Sequence, residues 1–323
     1  MAKIAKKFKV SNITEPTLEE AFTDFCQEKR GLGRSEATVR NYELSYNIFV
    51  DYHGINDKTF LVKELEEKQF YKWRQHMIEE EKRPQSINHY LRDWRTFLNW
   101  CKAKEYLEEP ITIKEMKAQE DLPKMYSDDE IKLMLTKPAQ GASYTQWRMW
   151  AIISLVYSTG MRASSVCALR IEDIDFNKGY IAIPQQKNKK AGMLPITNAL
   201  DTVLQEYIKK WLKDEPLDAY LFQNVGGEQL TVNALHTSIN KYCKYLGFEG
   251  HGIHSIRHNF AREMILNGGG EYRLQAYLQH SNIQMSQHYV KLFSGDLKKD
   301  AETFNPLDVM KKKTARTSKF KKG

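Results

Sequence analysis

Five residues in the C-terminal half of the sequence have side-chain types that together could act on a phosphodiester. In chain order they are Arg162, His254, Arg257, His280 and Tyr289. Two guanidinium groups can hold the non-bridging oxygens of a phosphate and stabilise the charge that develops there, without a metal ion. A phenol has a reference pKa of about 10, so the tyrosine needs a nearby histidine or positive field to lose its proton. The set therefore suits transfer of a phosphoryl ester to Tyr289.

A sixth candidate comes from a lysine-rich turn, QQKNKKAG, between two strand-like segments, Tyr180–Ile183 and Met193–Ile196. The oxygen that departs from phosphorus needs a proton, and a lysine on such a turn suits the work of a general acid. Lys187, Lys189 and Lys190 all lie in this turn. The turn alone leaves the choice among the three lysines open.

Helices must position most of these residues. The spacing of apolar residues predicts helices that begin at Thr17 and at Ser35, that span Leu65–Ile78 and that follow Pro84. The aromatic residues of these helices recur at helical spacing, so we interpret them as core rather than as surfaces on which bases stack. A further helix is predicted at Ser127, and the strand-like pair adds a small sheet to an otherwise helical second half.

The pattern divides the chain into five parts. A polar stretch bracketed by Pro110 and Pro123 is typical of an interdomain linker. The parts are a basic flexible arm at 1–15, a helical domain at 16–105, the linker at 106–125, a domain with the candidate residues at 126–300 and a basic tail at 301–323.

Composition narrows the class of protein. The chain has 49 Lys and Arg against 41 Asp and Glu, a net charge of +8 and a pI of about 9.0, as is common in proteins that meet a polyanion. It has no apolar run long enough for a membrane span and no secretory signal. Its cysteines are predicted to be reduced core residues of a cytoplasmic protein; they are Cys26, Cys101, Cys167 and Cys243.

Taken together, the motifs resemble the tyrosine recombinase, or phage integrase, family over roughly residues 15–295. That family has T-G-x-R, a hairpin lysine, H-x-x-R, L-G-H and then a tyrosine. The matching residues here are Thr159-Gly160-Met161-Arg162, Lys187, His254-Ser255-Ile256-Arg257, Leu278-Gln279-His280 and Tyr289. Counting back from Leu194-Pro195 aligns Lys187, rather than its neighbours, with the family lysine.

The resemblance implies a mainly α fold with a small β-sheet. It implies a SAM-like helical core-binding domain followed by an α+β catalytic domain, together clamping one DNA half-site. The partners would be double-stranded DNA with inverted-repeat core sites, three further copies in a homotetramer on two sites, and possible accessory DNA-bending proteins. Cleavage and rejoining would pass through a 3′-phosphotyrosyl bond without cofactor, metal or ATP, in the cytoplasm at the nucleoid.

Three positions depart from the usual family pattern: Ser165 replaces an acidic residue, Ser255 an aspartate and Gln279 a glycine. They favour a divergent integrase of a mobile element or phage. The alternatives are an Xer-like dimer-resolving recombinase, a type IB topoisomerase and a non-catalytic DNA-binding regulator. His258 is expected to brace its helix rather than meet phosphate. With no arm-binding domain before Thr17, we expect no arm-site architecture of the lambda integrase kind.

Overall fold

The computed structural model describes residues 15–117, 123–183, 192–280 and 282–293. Contacts divide the chain into two compact units, Met1–Asp121 and Leu122–Gly323. Residues 1–14 of the predicted arm, the predicted tail and Lys187 in its turn lie outside the described residues. No described helix has both the length and the apolar character that crossing a membrane requires.

The first unit is built from helices whose starts follow local capping chemistry. Thr17 accepts a hydrogen bond from the backbone of Glu20, whose carboxylate accepts one from the Thr17 backbone, and Ser35 caps the next helix. A proline occupies the first turn of the fourth. The helices are α1 (Leu18–Gly31), α2 (Glu36–His53), α3 (Glu67–Glu79) and α4 (Pro84–Ala103), with a 3₁₀ turn at Val62–Glu64.

Aromatic side chains fill the core of this unit. The rings of Phe22 and Tyr46 stack with centroids 3.9 Å apart, and Phe49 and Trp94 are almost wholly buried beside them. The interpretation of these aromatics as core is confirmed. Ile113, within the segment predicted as linker, is also buried in this core.

The second unit contains the other helices and the sheet. Ser127 caps its first helix through Glu130, in the arrangement of a capping box. The helices are α5 (Asp128–Leu135), α6 (Tyr144–Thr159), α7 (Ala163–Ala168), α8 (Asn198–Trp211), α9 (Val232–Leu246), α10 (Ile253–Leu266), α11 (Glu271–Leu278) and α12 (Ile283–Phe293), with a 3₁₀ turn at Ile171–Asp173.

Three short antiparallel strands form one sheet in the order β1, β2, β3, which are Ile174–Asp175, Tyr180–Ile183 and Gly192–Pro195. Ile181 pairs with Leu194, and both side chains point into the core. The predicted strand pair is confirmed: β2 has the predicted bounds and β3 is shifted by one residue. The sequence analysis did not predict β1, because a strand of two residues is too short to show an alternating pattern. The mainly α fold with a small sheet is therefore as expected.

Helix α6 is the centre of the second core. It is apolar on nearly every side and packs against α5, α8, α9 and α10. A helix buried all round has no polar face to solvate, which fits the continuous apolar stretch at 149–153. The candidate residues lie around the C-terminal end of α6 and the helices that pack there.

Candidate active site

A tight turn after α6 positions Arg162. Gly160 ends the helix with φ of 65°, in the left-handed region that glycine adopts without a steric penalty. A β-carbon added there would approach Leu278 and Phe260 side-chain atoms to 2.5 Å. The turn brings Arg162 to the start of α7, where its guanidinium donates to the backbone carbonyl of Gln279 at 3.2 Å.

Arg257 connects three segments from inside the protein. It projects from α10 with 6% of its surface exposed and donates to the carbonyls of Gly160 and, at 2.9 Å, of Leu278. Burial first, and then the charge of Arg162, lowers its pKa to about 10. Arg257 therefore stays positively charged at neutral pH.

His280 is buried against this arginine. Its Nε2 lies 3.2 Å from an Arg257 nitrogen and its Nδ1 lies 2.8 Å from the hydroxyl of Ser286. Arginine only donates, so Nε2 must accept, which leaves the proton on Nδ1 to be donated to Ser286. Burial, with Arg257 and Arg162, lowers the pKa of His280 to about 4, which favours the same neutral ring.

Tyr289 projects from α12 towards these groups. Its ring packs on a small cluster that includes Leu274 and Leu278, and it stacks on the ring of His280 with centroids 6.0 Å apart. Burial raises the pKa of Tyr289, while Arg257 and Arg162 oppose that rise. The phenol is thus held in place and protonated, in a positive field.

His258 contacts the same phenol, which sequence reasoning missed. Its Nδ1 lies 2.7 Å from the Tyr289 hydroxyl, and burial, with His254 and Arg257, lowers the pKa of His258 to about 4. The expectation that His258 only braces its helix is incomplete, because the ring reaches the candidate nucleophile. One feature of the sequence could have placed His258 at the site: it lies four residues after His254 and so shares a helix face with that candidate.

His254 lies on the exposed side of this cluster. Its ring is 5.9 Å from that of His236 on α9, another neighbour that the motifs did not indicate. Partial burial, followed by His236, Arg257 and Arg162, lowers the pKa of His254. Among the described residues no three His, Cys, Asp or Glu side chains are placed to hold a metal ion.

The three residues that depart from the family pattern are each placed by the structure. Gln279 adopts φ of 50° and ψ of 47°, which explains in physical terms why a glycine suits this position. Ser255 is buried and donates to the carbonyl of His251 at 2.9 Å, and Ser165 is buried in α7. The structure brings five of the six predicted residues into one region; the sixth, Lys187, lies outside the described part.

Comparison with known proteins identifies the family. A model of the phage integrase family matches residues 124–295, more than half of the chain. The chain belongs to the phage integrase family. The match includes the candidate residues from Arg162 to Tyr289, so this family member is a DNA recombinase of the tyrosine type.

Two relatives and two solved structures show how far the similarity extends. Tyrosine recombinase XerD of Listeria monocytogenes serovar 1/2a is 25% identical over 296 residues, which cover 90% of this recombinase and 98% of XerD. Tyrosine recombinase XerA of Pyrococcus furiosus is 28% identical over 204 residues, 62% of this chain and 68% of XerA. The Tn1549 transposon integrase in complex with a circular intermediate DNA has a TM-score of 0.69 at 18% identity, covering 85% of this chain and 95% of that one. A lambda integrase dimer bound to a COC′ core site has a TM-score of 0.66 at 17% identity, covering 85% and 77%. These structures share the fold.

Proposed function

We propose that this recombinase cleaves and rejoins DNA at specific sites through a 3′-phosphotyrosyl bond at Tyr289, as the integrase of a mobile element or phage. The proposed catalytic residues are Arg162, Lys187, His254, Arg257, His280 and Tyr289. The partners proposed are double-stranded DNA with inverted-repeat core sites and further copies in a homotetramer. DNA-bending proteins are possible accessories, and the site of action is the nucleoid.

The contacts of Arg257 carry the proposal. Within the described part of the chain, its hydrogen bonds go to two backbone carbonyls and a neutral histidine, and none goes to a carboxylate. A buried cation is costly unless an anion compensates it. A phosphodiester between Arg257 and Arg162 would supply that anion, within reach of the Tyr289 phenol.

The chemistry follows from these groups. The Tyr289 oxygen forms a bond to phosphorus while the bond from phosphorus to the 5′ oxygen breaks, and Lys187 gives that oxygen a proton. The arginines stabilise the charge on the non-bridging oxygens. The phosphotyrosine conserves the free energy of the ester, so the rejoining step needs neither ATP nor a metal ion.

A second candidate function is Xer-like resolution of chromosome dimers. It is favoured by the similarity to XerD, which extends over 98% of that protein. The two functions differ in their DNA: an element integrase acts at the ends of the element, whereas a resolvase acts at one chromosomal site. Recovering the DNA cross-linked to the protein in its own cells and sequencing it would separate them.

Tyr289→Phe should bind DNA normally and form no covalent adduct, because only the nucleophilic oxygen is lost. Duplexes enriched from a random-sequence library by binding are nicked to trap the cleaved state, incubated with protein and run on a denaturing gel. Tyr277→Phe is the matched control, since Tyr277 is also half-buried but its ring contacts Phe260 on α10, with centroids 5.8 Å apart.

An adduct band with Tyr289→Phe would remove Tyr289 from the reaction. Loss of the adduct in Tyr277→Phe as well would mean that the region fails for structural reasons. Relaxation of supercoiled plasmid without any enriched site would instead favour a type IB topoisomerase.

A further inference from the structure

The hydrogen bond between Tyr289 and His258 joins two helices at the reacting atom. The phenolic oxygen and Nδ1 are 2.7 Å apart, and the two ring centroids are 5.6 Å apart. His258 follows Arg257 on α10, Tyr289 lies on α12, and these helices pack against each other. The geometry meets the distance requirement for direct proton transfer.

We propose that His258 is the general base that accepts the phenolic proton of Tyr289 during strand cleavage, and the general acid that returns it during rejoining. The proposal rests on the function assigned to Tyr289 above. In cleavage, the proton passes from the tyrosine oxygen to Nδ1 of His258 as the bond to phosphorus forms. The departing 5′ oxygen takes its proton from a different group, so the two proton transfers stay separate.

The protonation state of His258 suits a base. Because its pKa is lowered to about 4, the ring is neutral near pH 7 and one of its nitrogens is an acceptor. The proposal assigns Nδ1 as that acceptor, with the ring proton on Nε2, so that the Tyr289 hydroxyl donates to it. As the tyrosine oxygen bonds to phosphorus its own affinity for the proton collapses, so a weak base placed at hydrogen-bonding distance is sufficient.

The other two histidines are less suited to this task. Both nitrogens of His280 are already engaged, one facing Arg257 and the other donating to Ser286. His254 is exposed, and its ring neighbour is His236. Within the described contacts, the hydrogen bond of the Tyr289 hydroxyl is made with His258.

Binding of DNA should make His258 a stronger base. Among the described residues, the charged and titratable groups around the pair include His254 and Arg257 on α10, Arg162 before α7, His280 before α12 and His288 beside Tyr289 on α12. The positive charge of Arg257 is among the causes that lower the pKa of His258. A phosphodiester held by the arginines offsets that charge, so the base is strengthened when a substrate is present.

The test combines His258 variants with a more acidic nucleophile. His258→Ala should slow formation of the Tyr289 adduct by roughly 10²-fold or more, the range for losing a positioned base. His258→Asn keeps a polar group near the phenol but cannot accept a proton at neutral pH, so it should be comparably slow. Replacing Tyr289 by 3,5-difluorotyrosine gives a phenol that depends less on a base, and it should speed His258→Ala by at least about 10-fold more than it speeds the wild type.

His288→Asn is the matched control, because it removes an exposed histidine next to Tyr289 on α12 and should cleave normally. Binding of the same duplex and thermal melting establish that each variant is folded. Wild-type rates in His258→Asn, or a fluorotyrosine effect no larger in His258→Ala than in the wild type, would reduce His258 to a structural residue and overturn the proposal. If the wild-type protein forms no adduct, the proposed function itself is contradicted. That outcome is distinct from a failure of the His258 proposal, because it is measured without any His258 variant.

Discussion

At the scale of single residues, the proposed mechanism assigns binding of phosphate and movement of protons to different groups. Arg257 is fixed by two backbone carbonyls and by His280, so its guanidinium needs no rearrangement to receive an anion. Tyr289 and His258 form a pair of their own beside it. Arg257 is thus held by three partners, and the Tyr289 hydroxyl by its hydrogen bond to His258.

The general acid is a separate prediction at this scale. Lys187→Ala should slow cleavage by roughly 10²–10⁴-fold, because the 5′ oxygen would leave without a positioned proton donor. A substrate with sulfur in place of the bridging 5′ oxygen leaves as a thiolate and needs no proton. Its cleavage by Lys187→Ala should be nearly normal, measured as the rate of adduct formation on the two substrates in parallel.

Arg162→Ala is the control for the sulfur substrate. The proposed role of its guanidinium is to stabilise the non-bridging oxygens, so the sulfur substitution should not rescue its loss. Rescue of Lys189→Ala or Lys190→Ala in place of Lys187→Ala would move the acid to a neighbouring lysine. If no lysine variant is rescued, another group protonates the leaving oxygen.

At the scale of elements, two left-handed residues end the helices that carry the site. Gly160 ends α6 and Gln279 ends α11; the Gly160 carbonyl accepts a hydrogen bond from Arg257, and the Gln279 carbonyl accepts one from Arg162. One of these positions has the residue type that the conformation favours and the other does not. Substitutions at the two should therefore have unequal consequences for stability.

Gly160→Ala should lower the free energy of unfolding by about 2 kcal/mol or more, from the left-handed backbone and from the clash with Leu278 and Phe260. Gln279→Gly should change it by no more than about 1 kcal/mol, since relief of backbone strain offsets the added chain entropy. Urea denaturation followed by circular dichroism gives both shifts in midpoint, and adduct formation should fail in Gly160→Ala alone.

Equal losses in the two variants would mean that backbone conformation does not decide the stability of these turns. Loss of cleavage in a stable Gln279→Gly protein would show instead that the glutamine side chain has a function. That side chain lies against Gly192 at the start of β3, where an added β-carbon would be 1.9 Å from its Nε2.

Local signals were sufficient to predict the four helices of the first unit, the helix that begins after Ser127 and the strand pair. The capping boxes at Thr17 and Ser127 and the proline at Pro84 act within one turn, so they are readable without tertiary structure. The contact between His258 and Tyr289 was not predictable in the same way. It depends on how α12 packs against α10, and it joins residues 31 positions apart in the chain.

At the scale of the whole molecule, charge rather than shape gives the clearest expectation. The net charge of +8 includes a C-terminal run, 311–323, that has lysines and one arginine but no acidic residue. Lysine and arginine at phosphates release counterions, which makes affinity depend on salt. The basic residues of the tail should therefore contribute to affinity for DNA independently of the catalytic groups.

Deletion of residues 311–323 should weaken DNA binding and make its salt dependence shallower, while cleavage at saturating protein persists. Each phosphate contact contributes about −0.9 to the slope of log affinity against log salt on duplex DNA, so losing two or three contacts is measurable. Fluorescence anisotropy of a labelled duplex between about 50 and 200 mM salt gives the slope. Changing Lys311, Lys312 and Lys313 to arginine is the control, since it keeps the charge and should keep the slope.

An unchanged slope after deletion would show that the tail does not contact phosphate. A shortened protein that binds tightly but no longer cleaves would instead assign the tail to assembly of the active complex, because the candidate residues from Arg162 to Tyr289 all precede it.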